Sequence, residues 1–231
     1  DVLLIRSDGT CGYTYRGKAY STLFDSFGDI CVQYGLVVRS VARPFAILTG
    51  MRAHNSPVSY NRFALRVALL RRILGLFGNH EHGEEWANMH RKHLWERIFE
   101  KARPSYVISS QPDPGLCWAG KSKGIPIYDL QHGVIAEHHW YSEKYRSNTS
   151  PKDLPDGFLC WDKASAAALR KWAPQKGIDV RNIGNSWFSR LLVKDPNDLL
   201  VQEATRTGRI FDNDKPVILV SLQQSLGFTY K

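Results

Sequence analysis

The sequence predicts an α/β domain in which a parallel sheet carries helices on both faces, followed by the start of a second domain of the same kind. Three observations predict it. Short β-rich runs recur along the chain, and segments with helical spacing separate most of them. Such alternation gives βαβ units and hence a parallel sheet. Polar, glycine-bearing turns follow strand after strand, and right-handed crossovers place all those turns along one edge of the sheet. In open sheets of this type that edge is where ligands bind.

In chain order, residues 1–6 (DVLLIR) read as a buried strand. Residues 20–34 have helical spacing, with Gly35 placed to end the helix. Residues 36–42 form a second strand stopped near Pro44, and residues 45–48 a third, shorter one. Residues 61–77 are helical because Phe63, Val67, Leu70, Leu74 and Phe77 step by four and three. Gly78 ends that helix and 79–83 form a loop. Residues 84–102 make a long helix with acidic residues in its first turn and Lys101 in its last, an arrangement that suits the helix dipole. Then follow strand 106–109, helix 114–123, strand 125–130, a polar stretch from 137 to 155, strand 157–161, helix 163–176 and strand 179–183. Residues 195–207 are expected to be helical. After the polar residues 212–215, strand 217–222 (VILVSL) closes the pattern. This organisation assigns residues 1–211 to one domain and residues 212–231 to the hinge and first strand of an interrupted second domain. The chain opens on Asp1, inside a strand-like run, without an initiator Met or a signal-peptide pattern, as a trimmed start would.

Composition narrows the function. With 231 residues, 43% hydrophobic and 12% aromatic, the chain suits an ordinary globular core. No uncharged apolar run is long enough to span a bilayer. The four cysteines, Cys11, Cys31, Cys117 and Cys160, stand far apart and read as reduced thiols of a cytoplasmic protein. The formal charge of +9 favours anionic partners: nucleic acid, an acidic membrane surface or a phosphate-bearing substrate. No zinc-finger, RRM, KH or basic-region pattern supports nucleic acid. On 61–77 the arginines are read as snorkelling from a core helix, with contact to an acidic lipid surface as the competing reading.

The turns after the strands hold the candidate site. Ser7-Asp8-Gly9-Thr10-Cys11-Gly12 follows the first strand, and Ser110-Gln111-Pro112-Asp113-Pro114-Gly115 follows 106–109. Gln131-His132-Gly133 follows 125–130, Asp162-Lys163 follows 157–161, and Gly184-Asn185-Ser186 follows 179–183. In the 131–133 turn Gly133 is expected to let the backbone turn tightly while His132 presents its imidazole to a cleft, as a general base or as a donor to a phosphate or sugar oxygen. Asp8 and Asp113 compete for the base role. Each is also a residue type that caps helices and shapes turns. Gln111, Gln131, Gly133 and Gly9 are the expected substrate contacts. The pairs His80/His82 and His138/His139 lack a third ligand at helical spacing, so no metal site is expected. The spacings GxGxxG and GxxxxGK[ST] are both absent, which disfavours a dinucleotide-binding dehydrogenase and a P-loop kinase.

Residues 125–188 carry a resemblance. IPIYDLQHGVI, LPDGFLCWDKASAAALRKW and IDVRNIGNSWF together resemble the late N-terminal domain of bacterial surface-polysaccharide glycosyltransferases of the GT-B superfamily. KPVILVSLQQSLG is similar to the first strand of their C-terminal domain, and EEWANMHRKHLWERIFEKARPSYVISS to their preceding helix and strand. The resemblance covers roughly the second half of the chain. It implies two Rossmann-like domains facing a cleft, the first binding acceptor and the second a nucleotide-sugar donor. By that analogy His132 and Gly133 line the cleft, and Asn185 and Ser186 lie near the hinge. It further implies a cytoplasmic enzyme at the inner face of the membrane, acting on a glycan or lipid-linked acceptor without cofactor or metal, with most of the donor domain missing here. An epimerase of nucleotide-sugars, a glycerophosphate transferase and a non-catalytic glycan- or membrane-binding module remain the alternatives.

Overall fold

The core of the protein begins at its first strand. β1 (Val2–Arg6) is buried along its whole length, as the centre of a parallel sheet requires. Leu3 and Ile5 point to one face, and Val2 and Leu4 to the other. The computed structural model describes residues 1–76, 80–135, 141 and 148–208, with the backbone alone at 74–76 and 80–82. Beside β1 lie β4 (Val38–Ala42) on one side and β5 (Tyr106–Ser109) on the other, followed by β6 (Ile127–Leu130), β7 (Gly157–Cys160) and β8 (Asp179–Asn182). The order is β4-β1-β5-β6-β7-β8 and every pairing is parallel. The expected Rossmann-like α/β architecture is the one observed.

Helices cover both faces. α1 (Phe24–Gln33) packs Phe24 and Phe27 on the Val2, Leu4 and Ile108 side. α3 (His80–Ala102) and α4 (Pro114–Lys123) pack Trp95, Phe99, Leu116 and Ala119 on the Leu3, Ile5, Val107 and Ile127 side. On that same side α5 (Lys163–Arg170) sets Ala166 and Leu169 against Phe158, Cys160 and Val180. α2 (Asn61–Leu76) pairs with α3. The chain runs from β1 through α1 to β4, then returns through α2 and α3 to β5 on the far side of β1. The crossovers change face there, so β1 and β5 flank the switch point.

Several local expectations are corrected. Residues 45–48 are a loop and not a strand: Phe45 is left-handed at φ +65°, and the amides of Ile47 and Leu48 are taken by the Asp8 carboxylate. Residues 20–23 are not helical. Lys18–Tyr20 is instead strand β3 of a hairpin with β2 (Tyr13–Tyr15), turning at Arg16 and Gly17, both of positive φ. The helix expected over 163–176 stops at Arg170, and Ala173–Lys176 is a 3-10 turn containing Pro174, since proline cannot donate into the ladder. α6 (Ser186–Val193) was not anticipated, and the helix expected over 195–207 is α7 (Leu199–Gly208). Strand 217–222 and the histidines 138 and 139 lie outside the described residues.

The chain divides into two compact units, Asp1–Ser189 and Arg190–Lys231. The first holds the sheet. In the second, Arg190 donates to both carboxylate oxygens of Asp198, at 2.6 and 2.9 Å. Asp198 in turn caps the start of α7 through the Leu200 amide at 3.0 Å.

Candidate functional site

All six strands end on one edge, and the loops there are stitched to one another by side chains. Asp8, after β1, accepts from the amides of Ile47 at 2.7 Å and Leu48 at 3.3 Å in the loop after β4. Arg43, at the end of β4, reaches past β1 and donates to the Gln111 carbonyl after β5 at 2.9 Å. The Gln111 amide, in a residue of positive φ, donates to Asp129 Oδ1 at 3.0 Å, and Asp129 Oδ2 accepts from the Tyr141 hydroxyl at 2.7 Å. The edge is thus held in one geometry before any ligand arrives, as a binding site built on rigid elements needs.

Beneath β1 a second network fixes the switch point. Arg6, 1% exposed, pairs with Asp25, 0% exposed, at 3.2 Å. It also donates to the carbonyls of His54 and Ala19, both at 2.8 Å, and to Cys11 Sγ at 3.0 Å. Burial lifts the Asp25 carboxyl to about 6 against the pull of Arg6. His54 Nε2 lies 3.0 Å from Asp29, whose other oxygen accepts from the Tyr20 hydroxyl at 2.7 Å. These contacts lock the β2–β3 hairpin onto the end of β1.

A cavity of about 160 Å³ opens between α2, α3 and the loops after β4 and β5. Phe45, Phe63, Val67 and Trp95 supply apolar walls, while Tyr60, Arg91 and Asp113 supply polar groups. Burial pushes the Asp113 carboxyl above the usual range, and Arg91 and Arg43 pull the other way. Burial likewise drives the Tyr60 hydroxyl far up, with the Asp113 charge adding to it. Cations facing one carboxylate in an apolar cleft suit a ligand that bears hydroxyls and a negative charge.

The sequence-selected residues divide by what surrounds them. Asp113 lines this cavity and also caps α4, with Oδ1 accepting from the Leu116 amide at 3.1 Å. Gln111 contributes backbone groups to the stitching. Asp8 spends Oδ2 on the neighbouring loop. Gln131 is 4% exposed; its Oε1 accepts from the Trp161 amide at 2.7 Å, and its Nε2 donates to the Gly133 carbonyl and to Ser165 Oγ, both at 2.9 Å. The side chain of Gln131 therefore positions the 131–133 turn. His132 is half-buried at that turn with its ring against Tyr141, centroids 5.9 Å apart. Gly133 and Gly9 have no positive φ and no tight neighbour, so neither turn requires a glycine, contrary to the expectation for Gly133. Asn185 caps α6 through the amides of Trp187 and Phe188 at 3.0 and 3.2 Å. Ser186 donates to the Leu23 carbonyl at 3.4 Å, on the α1 side.

Sequence reasoning missed Arg43, Arg91, Tyr60 and Asp129. The signal for Asp129 was present: a carboxylate inside the strand run IYDL must be buried, and a buried carboxylate must be partnered. Arg43 and Arg91 carry no such mark. Among the described residues no cluster of His, Cys, Asp and Glu forms a metal site, and no helix is long and apolar enough to cross a membrane.

No protein-family model and no curated protein matches the chain. Among solved structures it is similar to UDP-GlcNAc 2-epimerase from Neisseria meningitidis bound to UDP-GlcNAc, with a TM-score of 0.42 and 14% identity over 90% of this chain and 52% of that one. The chain thus spans about half the length of that protein, and a likeness so remote assigns neither family nor substrate.

Proposed function

We propose that this chain is the acceptor-side domain of a GT-B glycosyltransferase that moves a sugar from a nucleotide-sugar to a glycan or lipid-linked acceptor. The observation that carries the reading is the cavity at the switch-point edge, where Asp113 meets Arg91, Tyr60 and apolar walls. The resemblance of residues 125–188 to surface-polysaccharide glycosyltransferases supports it independently. In the proposed reaction Asp113 takes the proton of the acceptor hydroxyl as that oxygen bonds to the anomeric carbon. The bond from that carbon to the nucleotide diphosphate breaks, and the diphosphate leaves with the electron pair. A carboxyl raised by burial holds a proton better than an ordinary one, which suits a general base. Arg43 and Arg91 orient an anionic group of the acceptor. His132, at the end of β6, is the competing base. The site is proposed to work at the inner face of the cytoplasmic membrane, with no cofactor.

The test is a transfer assay on the protein that carries this chain, with a panel of nucleotide-sugars and glycan or lipid-linked acceptors, in EDTA. Asp113→Asn keeps the helix cap, since Asn caps as well as Asp. It is expected to lower kcat at least about tenfold, roughly 1.4 kcal/mol of transition-state stabilisation. Loss in His132→Ala with Asp113→Asn unaffected would make His132 the base. A nucleotide-sugar altered without acceptor would replace transfer by epimerisation, and turnover of none would overturn the reading.

A further inference from the structure

The outward face of α2 has no partner among the described residues and an unusual composition. Its inward side is narrow: Ala64 and Val67 are buried and Phe63 is half-buried. Leu65 is 62% exposed, Leu69 58% and Ile73 41%. At about 100° per residue, these three fall on one arc with Arg62, Arg66 and Arg72, all exposed. Aliphatic and guanidinium side chains are intermixed on that arc, and α2 contains no acidic residue. Arg71 lies off it, paired with Glu84 at 2.6 Å.

The loop before α2 adds further exposed apolar side chains beside the start of the helix. Asn61, the first residue of α2, accepts from the Phe45 amide at 2.7 Å and donates to the Ala46 carbonyl at 2.8 Å. Asp8 holds the other end through Ile47 and Leu48. The loop so fixed keeps Phe45 at a left-handed φ, costly for a bulky side chain, while leaving Phe45 57% and Ile47 73% exposed. Contiguous exposed apolar residues held rigidly in place mark an interaction surface.

We propose that this face, α2 together with residues 45–47, docks on an anionic lipid bilayer. Charge complementarity and the interleaving choose the occupant. A protein partner would have to set a carboxylate against each of these arginines while burying the aliphatic side chains between them. At a lipid surface the aliphatic groups enter the acyl boundary while the arginines extend back to anionic headgroups. Phe45 also walls the acceptor cavity, but none of the variants below touches it, so the inference survives or fails apart from the transfer chemistry.

Sedimentation with vesicles of phosphatidylcholine, with or without phosphatidylglycerol, tests it. The chain is expected to bind the mixed vesicles and not the neutral ones. The triple variant Arg62→Glu, Arg66→Glu, Arg72→Glu is expected to bind at least about thirtyfold more weakly. Leu65→Ser with Leu69→Ser is expected to weaken binding while keeping its salt dependence. Reversing the exposed Arg39, Lys163 and Lys171 to Glu matches the change in net charge and is expected to retain most of the binding. Equal loss in both triple variants would reduce the effect to overall charge and overturn the assignment. So would vesicle binding untouched by the α2 variants. Self-association abolished by the α2 variants, with no vesicle binding, would assign the face to a second copy of the chain.

Discussion

At the scale of single residues, the Arg6–Asp25 pair ties the end of β1 to α1. Both side chains are excluded from water, and desolvating two charges is offset only by their attraction and the further bonds each makes. Because burial outweighs the pull of Arg6 and the folded chain favours the neutral carboxyl, Asp25→Asn should lose no more than about 1 kcal/mol in urea denaturation at neutral pH, through the acceptor oxygen that Arg6 and the Ser21 amide share. The pH dependence has a definite sign. The carboxyl sits at about 6 in the folded chain against an ordinary 3.8, so the folded state binds the proton more tightly than the unfolded one. The contribution from this group is greatest below the ordinary value and declines as pH rises through about 6. The variant should lack that decline; an identical slope in both proteins would place the titration elsewhere. Little of this was legible beforehand. Arg6 reads as the polar end of DVLLIR and Asp25 as a first-turn helix acid, and nothing local pairs them. Gln131 shows the opposite case. It was conspicuous in the sequence beside His132, but its prominence reflects the turn it builds: each end of its amide bonds backbone, Ser165 or Asp162.

At the scale of elements, strands and caps were readable because their signals are local. Asp113-Pro114 and Gly124 delimit α4 at the expected residues, with a side-chain cap at one end and a left-handed glycine at the other. The β2–β3 hairpin escaped because three-residue strands are too short for alternation to stand out. For α2 the spacing was right and the stripe only partly so: Val67 is buried and Phe63 half-buried as expected, but Leu70 is 45% exposed and Ala64 is buried instead. Helix approach makes a sharp prediction. A methyl at Gly115 would sit 2.6 Å from both Arg91 Cβ and the Asn88 carbonyl. That carbonyl belongs to the α3 backbone and cannot swing aside, so the helices must separate. Gly115→Ala should cost about 1–3 kcal/mol in thermal or chemical denaturation. Gly133→Ala, which meets nothing within 4 Å, should be close to neutral, and equal costs would refute the packing argument.

At the scale of the whole sheet, alternation of strands and helices foretold parallel pairing but not the order, since no local pattern records where the chain doubles back past β1. That reversal gives the edge its function. β1 and β5 are neighbours in register, Val2 beside Tyr106 through Ile5 beside Ser109, while their crossovers leave on opposite faces and part the loops above them. Arg43 and Asp8 then tie the parted loops across the gap. A ligand seated there touches several loops that are distant in sequence, whereas at the opposite edge Asp156 on the Ile127 amide and Asp1 on Ser105 tie only adjacent strands. Hydrogen exchange with and without an acceptor that supports transfer should therefore slow together at residues 7–12, 43–49 and 110–113. Residues 34–37, 124–126 and 177–178, which precede β4, β6 and β8, should be unchanged. Protection confined to residues 131–133 would shift the site one strand over to the His132 turn. Protection at the opposite edge would remove the switch point, and with it Asp113, from the chemistry.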